Sequence, residues 1–338
     1  MPLPSDMTFI DVPKPGDAAV LTPARQAVPT AGSGEVLIRV AAAGVNAPDL
    51  HQRRGRYDPP PGASPIIGLE VSGEIAALGE GARRYKVGDR VVALCNGGGY
   101  AEFVAVPEGQ VLPLPRGWSL VDGAALPETF FTIQQTLVMR AGLAKAMRVL
   151  IHGGAGGIGG AAIGIAVAYG ARPMAIVSSP EKADYAKSLG AVATIDRTRE
   201  NFVERTMALT DGHGADRIVD VVGASALAQN LAAAATEAVI LQLGSVGESE
   251  AQINVGVINQ KRLAIIGSRL RPQPREVKAA IAASLAENVW PALADGTIKP
   301  PRIQYFPLAE AVAAHRAMEE PSHFGKIVLV TPFGNTTR

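Results

Sequence analysis

Three glycines after a short apolar run have the spacing of a dinucleotide-binding turn. The run covers residues 149–151, and an apolar stretch of small residues follows at 158–169. Gly154, Gly156 and Gly159 fit G-x-G-x-x-G, in which glycines form the turn, admit a pyrophosphate and let the helix pack on the strand. Backbone N–H groups at the helix N-terminus then bind the anion. The pattern predicts a dinucleotide cofactor and redox chemistry, and the alternative is a glycine-rich turn that binds nothing. The residues predicted to line this turn are Gly154, Gly156, Gly157, Ile158 and Gly159.

The residues after the second predicted strand favour a phosphorylated cofactor. Sites that prefer NADH place an acidic residue there, on the ribose hydroxyls. This chain instead has Ser178 and Ser179 at the strand end, with Lys182 shortly after them. Arg197 follows the third strand. Hydroxyls and cations suit a 2′-phosphate because charge-assisted hydrogen bonds to phosphate are strong. We therefore predict NADPH rather than NADH. Glu181 stands close by, and the alternative is that Lys182 and Arg197 are ordinary solvated charges.

The segments after the glycine turn alternate between strand and helix. The predicted strands are 173–177, 193–195, 215–222 and 238–243. The predicted helices are 181–189, 201–210 and 226–235. This alternation predicts an α/β fold with a doubly wound parallel sheet, and residues 263–267 are a candidate edge strand.

The two ends of the chain have a different pattern. Short Val- and Ile-rich strands, separated by Gly and Pro, are predicted at 35–40, 71–77, 90–94 and 100–106. A helix at 309–319 and a strand at 326–330 close the chain. We therefore predict a β-barrel-like domain formed by residues 1–124 and 297–338, into which a nucleotide-binding domain of residues 125–296 is inserted. A length of 338 residues agrees with two domains.

Composition excludes several function classes. The formal net charge is +1, which does not favour nucleic acid or an anionic membrane as partner. No signal peptide or membrane-spanning run is evident, so we expect a cytoplasmic protein. The single cysteine, Cys95, permits no internal disulfide and no four-cysteine zinc site, and we expect it to be a small buried hydrophobe. The five histidines lack metal-ligand spacing, so no metal site is predicted.

Six ordered motifs carry a resemblance to a known family. They are Gly-Val-Asn-Ala-Pro-Asp-Leu at 44–50, Gly-Leu-Glu-Val-Ser-Gly at 68–73, Val-Gly-Asp-Arg-Val at 87–91, Gly-Tyr-Ala-Glu at 99–102, Leu-Pro-Glu-Thr at 126–129 and Gly-Lys-Ile-Val at 325–328. Over nearly the whole chain they resemble the medium-chain dehydrogenases/reductases, and within them the zinc-independent, zeta-crystallin-like quinone oxidoreductases. Zinc alcohol dehydrogenases of that superfamily have a His where this chain has Leu69.

The resemblance implies a Rossmann domain, a GroES-like catalytic domain and three residues of the active site. It puts Asn46 near the nicotinamide in an interdomain cleft, Tyr57 beside the substrate and Thr132 close to the nicotinamide. From the residues alone, Asn46 is alternatively a helix cap, Tyr57 a packed loop aromatic and Thr132 a helix residue bonded to its own backbone.

The resemblance also implies further cofactor contacts. Lys182 matches a lysine on the 2′-phosphate, and Arg197 stands where many relatives have tyrosine. Backbone stretches near the nicotinamide match Gly244, Ser245, Ser268, Arg269 and Leu270. Alternatively, Arg269 and Arg271 are surface charges.

The sequence shows no metal site and no evident proton relay, and this limits the reactions that we expect. Without a metal or an evident proton relay, an ordinary ketone lacks its electrophilic catalyst, whereas a quinone or enone is already electron-poor. We expect NADPH-dependent quinone reduction, with water or Tyr57 giving the proton. Reduction of activated alkenes, or NADPH binding with little catalysis, are the alternatives. The resemblance implies a homodimer or homotetramer formed through the edge of the nucleotide-binding sheet.

Overall fold

Runs of β-branched and small apolar residues between glycine and proline turns fold as strands. Longer segments, in which apolar residues recur every three to four positions, fold as helices. The computed structural model describes residues 3–244 and 249–337. The chain forms two compact units. The first unit comprises Met1–Phe131, Arg271–Trp290 and Arg302–Arg338, and the second comprises Thr132–Leu270 and Pro291–Pro301.

The strands and helices of the described residues are numbered along the chain. The strands are β1 (Asp6–Asp11), β2 (Thr22–Ala27), β3 (Glu35–Val45), β4 (Glu70–Leu78), β5 (Arg90–Leu94), β6 (Phe103–Pro107), β7 (Val111–Pro113), β8 (Arg148–Ile151), β9 (Arg172–Val177), β10 (Ala193–Asp196), β11 (Ala215–Asp220), β12 (Ala234–Gln242), β13 (Ala264–Gly267), β14 (Ile303–Pro307) and β15 (Lys326–Val330). The α-helices are α1 (Ala47–Arg53), α2 (Leu120–Gly123), α3 (Pro127–Ile133), α4 (Gly157–Ala168), α5 (Pro180–Ser188), α6 (Phe202–Leu209), α7 (Ala224–Ala233), α8 (Val255–Lys261), α9 (Arg275–Asn288), α10 (Trp290–Ala294), α11 (Ala311–Glu319) and α12 (Pro332–Asn335).

The second unit contains a parallel sheet with the strand order β10-β9-β8-β11-β12-β13 among the described residues. The order reverses between β8 and β11, which is where doubly wound sheets bind nucleotides at the carboxyl ends of their strands. The predicted α/β fold is confirmed. The strand β13 ends the described sheet, as predicted for residues 263–267, and Ile265 on it is exposed.

The first unit contains a mostly antiparallel sheet with the described order β14-β15-β3-β4-β5-β7, and β6 also pairs with β3. The long strand β3 lies between β15 and β4. Because both neighbours run antiparallel to it, the end of β3 lies beside the starts of β4 and β15. Residues at those three strand ends are thereby brought together.

Two helical segments were not among the elements predicted from the sequence. Helix α9 lies in the first unit, whereas the predicted nucleotide-binding domain extends to residue 296; that domain border stays a prediction. A π-helix covers Gln134–Arg140 directly after α3, and π-helical turns are common at functional sites. Among the described residues, no helix has the length and apolarity that a membrane span requires.

Candidate cofactor site and active site

The glycine turn joins β8 to α4 as predicted. Gly156 is the N-cap residue of α4, and Gly157 and Ile158 form its first turn, which carries no acidic residue. A Cβ on Gly154 would lie 2.5 Å from the Cβ of Ala175 on β9, and one on Gly159 would overlap the Gly153 carbonyl oxygen. Glycine therefore permits the close approach of helix and sheet, and the N–H groups of the first turn remain available for a pyrophosphate.

Hydroxyl groups and cations meet at the carboxyl ends of β9 and β10. Ser179 caps α5, because its Oγ accepts the backbone N–H of Lys182 at 3.3 Å. The Lys182 Nζ donates to the Ser178 Oγ at 3.4 Å. The exposed Arg197 donates its backbone N–H to the Val177 carbonyl at 3.0 Å, so it lies beside the end of β9. Hydroxyl and cationic donors, the groups that form strong hydrogen bonds to phosphate, therefore lie at these two strand ends.

The remaining predicted cofactor residues follow β12 and β13 at the same edge of the sheet. Gly244 comes shortly after β12, and Ser245 lies outside the described residues. The Ser268 backbone N–H donates to the Gln242 carbonyl at 3.2 Å. Arg269 is exposed and Leu270 is buried. Thr132 also lies in the second unit, half-buried at the end of α3, and its carbonyl accepts the Thr136 hydroxyl at 2.7 Å. Among the described residues, the Thr132 hydroxyl makes no bond to its own helix.

Asn46 is held by two buried charged side chains. It follows β3 and is 6% exposed. Its Nδ2 donates to the Glu70 Oε1 at 2.7 Å, and its Oδ1 accepts from the Lys326 Nζ at 2.7 Å. The Lys326 Nζ also contacts the Glu70 Oε1 at 2.6 Å. Glu70 and Lys326 are the first residues of β4 and β15, so the antiparallel pairing explains the cluster. Asn46 is the N-cap residue of α1, as the alternative expected, but its side chain has these further partners. An amide has two N–H donors, and within the described part of the chain the second one of Asn46 makes no hydrogen bond.

Asp49 binds the backbone of Asn46. Its carboxyl accepts the backbone N–H groups of Asn46 at 2.8 Å and Gly68 at 3.1 Å. Burial raises the pKa of Asp49 to about 7. The Tyr100 hydroxyl lies 3.5 Å from the Asp49 Oδ2 and 3.0 Å from the Nε2 of His315. These contacts fix the turn that precedes α1.

Charged groups continue this chain of contacts to the surface. The Arg53 Nη1 lies 3.1 Å from the His315 Nδ1, and its Nη2 donates to Glu319 at 2.6 Å. A guanidinium only donates, so the His315 Nδ1 accepts and the Nε2 carries the hydrogen toward Tyr100. Burial, followed by the charges of Arg53 and Arg54, lowers the pKa of His315 to about 3.

Tyr57 belongs to a separate cluster, around Arg271. The guanidinium carbon of Arg271 lies 5.3 Å from the centroid of the Tyr57 ring, and Nη1 donates to the Gln52 side chain at 2.8 Å. The interpretation of Arg271 as a surface charge is wrong, because its side chain is buried. Its Nε and Nη2 donate to the Asn96 carbonyl at 3.0 and 2.7 Å. The buried Lys278 joins them, donating to the Asn96 Oδ1 at 2.6 Å. Burial lowers the pKa of Lys278 to about 8.

Cys95 is buried, as expected of a small hydrophobe. Burial raises the pKa of its thiol far above the ordinary value, which disfavours the reactive thiolate. Leu69 is buried beside Glu70. In the part of the chain that the structure describes, no group of three or more His, Cys, Asp or Glu side chains is placed to hold a metal ion.

Comparisons with known proteins agree with this architecture. Residues 32–116 match the model of the alcohol dehydrogenase GroES-like domain, and residues 157–286 match that of the zinc-binding dehydrogenases. A quinone oxidoreductase of Pseudomonas aeruginosa is 32% identical over 312 residues, which cover 88% of this chain and 92% of the relative. This chain belongs to the quinone oxidoreductase family of the medium-chain dehydrogenases/reductases.

Solved structures extend the comparison of this quinone oxidoreductase family member. Escherichia coli quinone oxidoreductase, in complex with NADPH, has a TM-score of 0.81 at 27% identity, with 96% of this chain and 99% of that chain covered. The CurK enoyl reductase has a TM-score of 0.84 at 27% identity, with 97% and 100% covered. The GroES-like region therefore lies in the first unit, and the Rossmann sheet forms the second.

Several site residues were absent from the sequence predictions. Glu70, Lys326 and Asp49 lie within the family motifs, but the resemblance implied no role for them. Lys278 had no motif at all. The available signal was a charged residue at the first position of an otherwise apolar strand, as in Lys326-Ile-Val-Leu-Val330.

Proposed function

We propose that this chain transfers hydride from NADPH to a quinone without a bound metal. The observation that carries the proposal is the Asn46 amide, which Lys326 and Glu70 hold in place with one N–H left to donate. A neutral, preorganised amide N–H stabilises a developing oxyanion. That suffices for an acceptor that is already electron-poor, whereas an unactivated ketone needs a stronger electrophile.

The cofactor part of the proposal rests on charge. Lys182 and Arg197 would bind the 2′-phosphate with Ser178 and Ser179, and the first turn of α4 would bind the pyrophosphate. The reduced nicotinamide supplies the hydride when NADPH is bound. Thr132, Gly244, Ser268, Arg269 and Leu270 are proposed to lie at its nicotinamide end. NADPH in the Escherichia coli relative supports this preference.

The acceptor part assigns Asn46 and Tyr57 to the substrate. Asn46 would donate to the acceptor oxygen, and the Tyr57 ring, fixed by the Arg271 cation, would contact the acceptor ring. The similarity to the CurK enoyl reductase favours a second candidate, reduction of an activated alkene on the same residues. We further propose a cytoplasmic homodimer or homotetramer, formed through the exposed strand β13.

The test compares acceptors. NADPH oxidation is followed at the nicotinamide absorbance with an ortho-quinone, a para-quinone and a simple enone, each against a blank without protein. We expect faster turnover with a quinone, and Asn46→Ala and Tyr57→Phe to lower kcat/KM. If only the enone is turned over, the function is alkene reduction and not quinone reduction. Tight NADPH binding with no turnover indicates a binding protein, and an unchanged Tyr57→Phe variant removes the tyrosine role.

A further inference from the structure

Glu128 lies directly against the cluster that holds Asn46. It is the second residue of α3, and its backbone N–H donates to the Glu70 Oε2 at 2.8 Å. The other oxygen of Glu70 accepts from Asn46 at 2.7 Å and from Lys326 at 2.6 Å. One carboxylate therefore ties the start of α3 to the Asn46 amide. The backbone of Glu128 is two hydrogen bonds away from the proposed oxyanion donor.

The Glu128 carboxyl differs from the other two acids of this cluster. The Glu70 carboxylate has three donors, and that of Asp49 accepts two backbone N–H groups. Within the described ranges, the carboxyl of Glu128 has no hydrogen bond or ion pair, and the residue is half-buried. An unpaired carboxyl that is partly open to solvent is accessible to an acceptor bound beside the Asn46 cluster.

The surroundings keep a proton on this carboxyl at neutral pH. Burial, followed by the charges of the acids Glu70 and Asp49, raises the pKa of Glu128 to about 8. Lys326 and Arg271 act in the opposite direction but do not offset burial. These are the charges that face it from β4, α1, β15 and the segment before α9. A carboxylic acid with a pKa near the working pH is suited to general acid catalysis.

We propose that Glu128 is the catalytic acid that protonates the oxygen of the reduced acceptor. This inference rests on the proposed function. When hydride adds to the acceptor, negative charge develops on an oxygen that Asn46 stabilises. The O–H bond of Glu128 breaks and a new O–H bond forms on that oxygen. The resulting carboxylate then takes a proton from solvent. NADPH, one proton and a quinone thus become NADP⁺ and a hydroquinone, so water or Tyr57 is not the direct donor.

The experiment measures kcat/KM with NADPH and a quinone from pH 6 to pH 10. For the wild type we expect a plateau below pH 8 and a fall above it, because only the protonated acid is active. Glu128→Gln is expected to lose about 100-fold at pH 7 and to lack the fall. Glu128→Asp, which keeps an ionisable acid, is expected to restore a fall. Glu74→Gln, a half-buried glutamate in the middle of β4, is the matched control and is expected to behave as the wild type.

Two further readouts separate the possible outcomes. NADPH affinity and thermal unfolding check that Glu128→Gln is folded. Difference infrared spectroscopy between pH 6.5 and pH 9.5 is expected to show a protonated carboxyl that is missing in Glu128→Gln. Full activity of Glu128→Gln with the wild-type pH profile overturns this proposal alone. A Tyr57→Phe variant that loses the fall in kcat/KM above pH 8 also overturns it, because the fall then depends on Tyr57. No turnover by the wild type with any quinone or enone overturns the proposed function and the inference with it.

Discussion

Asn46 shows how a neutral side chain is oriented by charges that it does not neutralise. Lys326 and Glu70 form a buried ion pair, with side chains that are 4% and 0% exposed. Lys326 also donates to the oxygen of the Asn46 amide, and Glu70 accepts from its nitrogen. Because a lysine only donates and a carboxylate only accepts, the two ends of the amide are distinguished. The free N–H of Asn46 therefore has a defined direction. Gly44 on β3 leaves room for the Glu70 carboxylate, which a Cβ there would overlap.

Lys326→Met tests this cluster. It leaves the Glu70 carboxylate buried without its cation, so we expect the free energy of unfolding to fall by about 3–5 kcal/mol. Urea titration measures the change. Arg90→Met is the control, because it removes the largely exposed ion pair between Arg90 and Glu74, which contributes less than about 1 kcal/mol. Equal losses in the two variants would contradict a buried, coupled cluster.

Sequence reasoning reached Asn46 but not the residues that hold it. Asn46 was accessible through a motif, whereas Lys326 lies 280 positions away and meets it only because β15 and β4 flank β3. That pairing is a property of the topology and leaves no local pattern. Arg271 was assigned to the surface for the same reason, since its partners Asn96 and Gln52 are distant in sequence.

The ends of elements supply most of the groups at the proposed cofactor site. Ser178 and Ser179 follow β9, Lys182 lies in the first turn of α5, and Arg197 follows β10. The strand and helix periods predicted these elements, and parallel pairing then brings their ends to one edge. The π-helix at Gln134–Arg140 was not predicted, because its period differs from the patterns used to read helices.

Lys182→Ala tests the phosphate site. Loss of a charge-assisted contact should raise the Kd for NADPH about 10- to 100-fold and change that for NADH by less than about twofold. Fluorescence titration with both cofactors measures this. Lys187→Ala, on the exposed last turn of the same helix, is expected to change neither. Equal weakening of NADPH and NADH binding by Lys182→Ala rules out a 2′-phosphate contact.

Helix α11 is joined to α1 through His315, and this contact predicts a pH dependence of stability. The folded chain keeps His315 neutral, with a pKa of about 3, whereas the unfolded side chain takes up a proton below about pH 6.5. The stability that His315 contributes is therefore lost as the pH falls from about 6.5 toward 3. The difference in free energy of unfolding between wild type and His315→Gln should be smaller at pH 5 than at pH 7.5. A constant difference for His315→Gln across this range contradicts the assignment.

At the scale of the whole molecule, the exposed strand β13 predicts self-association. An unpaired edge with apolar side chains, such as Ile265, is a surface for pairing with another chain. Light scattering is expected to give at least a dimer, and Ile265→Lys to shift it toward monomer. Val87→Lys, an exposed valine of the first unit, is the control. A wild-type monomer contradicts the prediction.

The central claim is metal-independent hydride transfer from NADPH to a quinone. The most direct measurement dialyses the protein against a chelator and then follows NADPH and NADH oxidation in parallel with the same para-quinone. We expect the turnover to survive chelation and kcat/KM to be at least about tenfold higher with NADPH, in line with one charge-assisted phosphate contact. Turnover that is lost on chelation and restored by zinc, or a preference for NADH, would contradict the account.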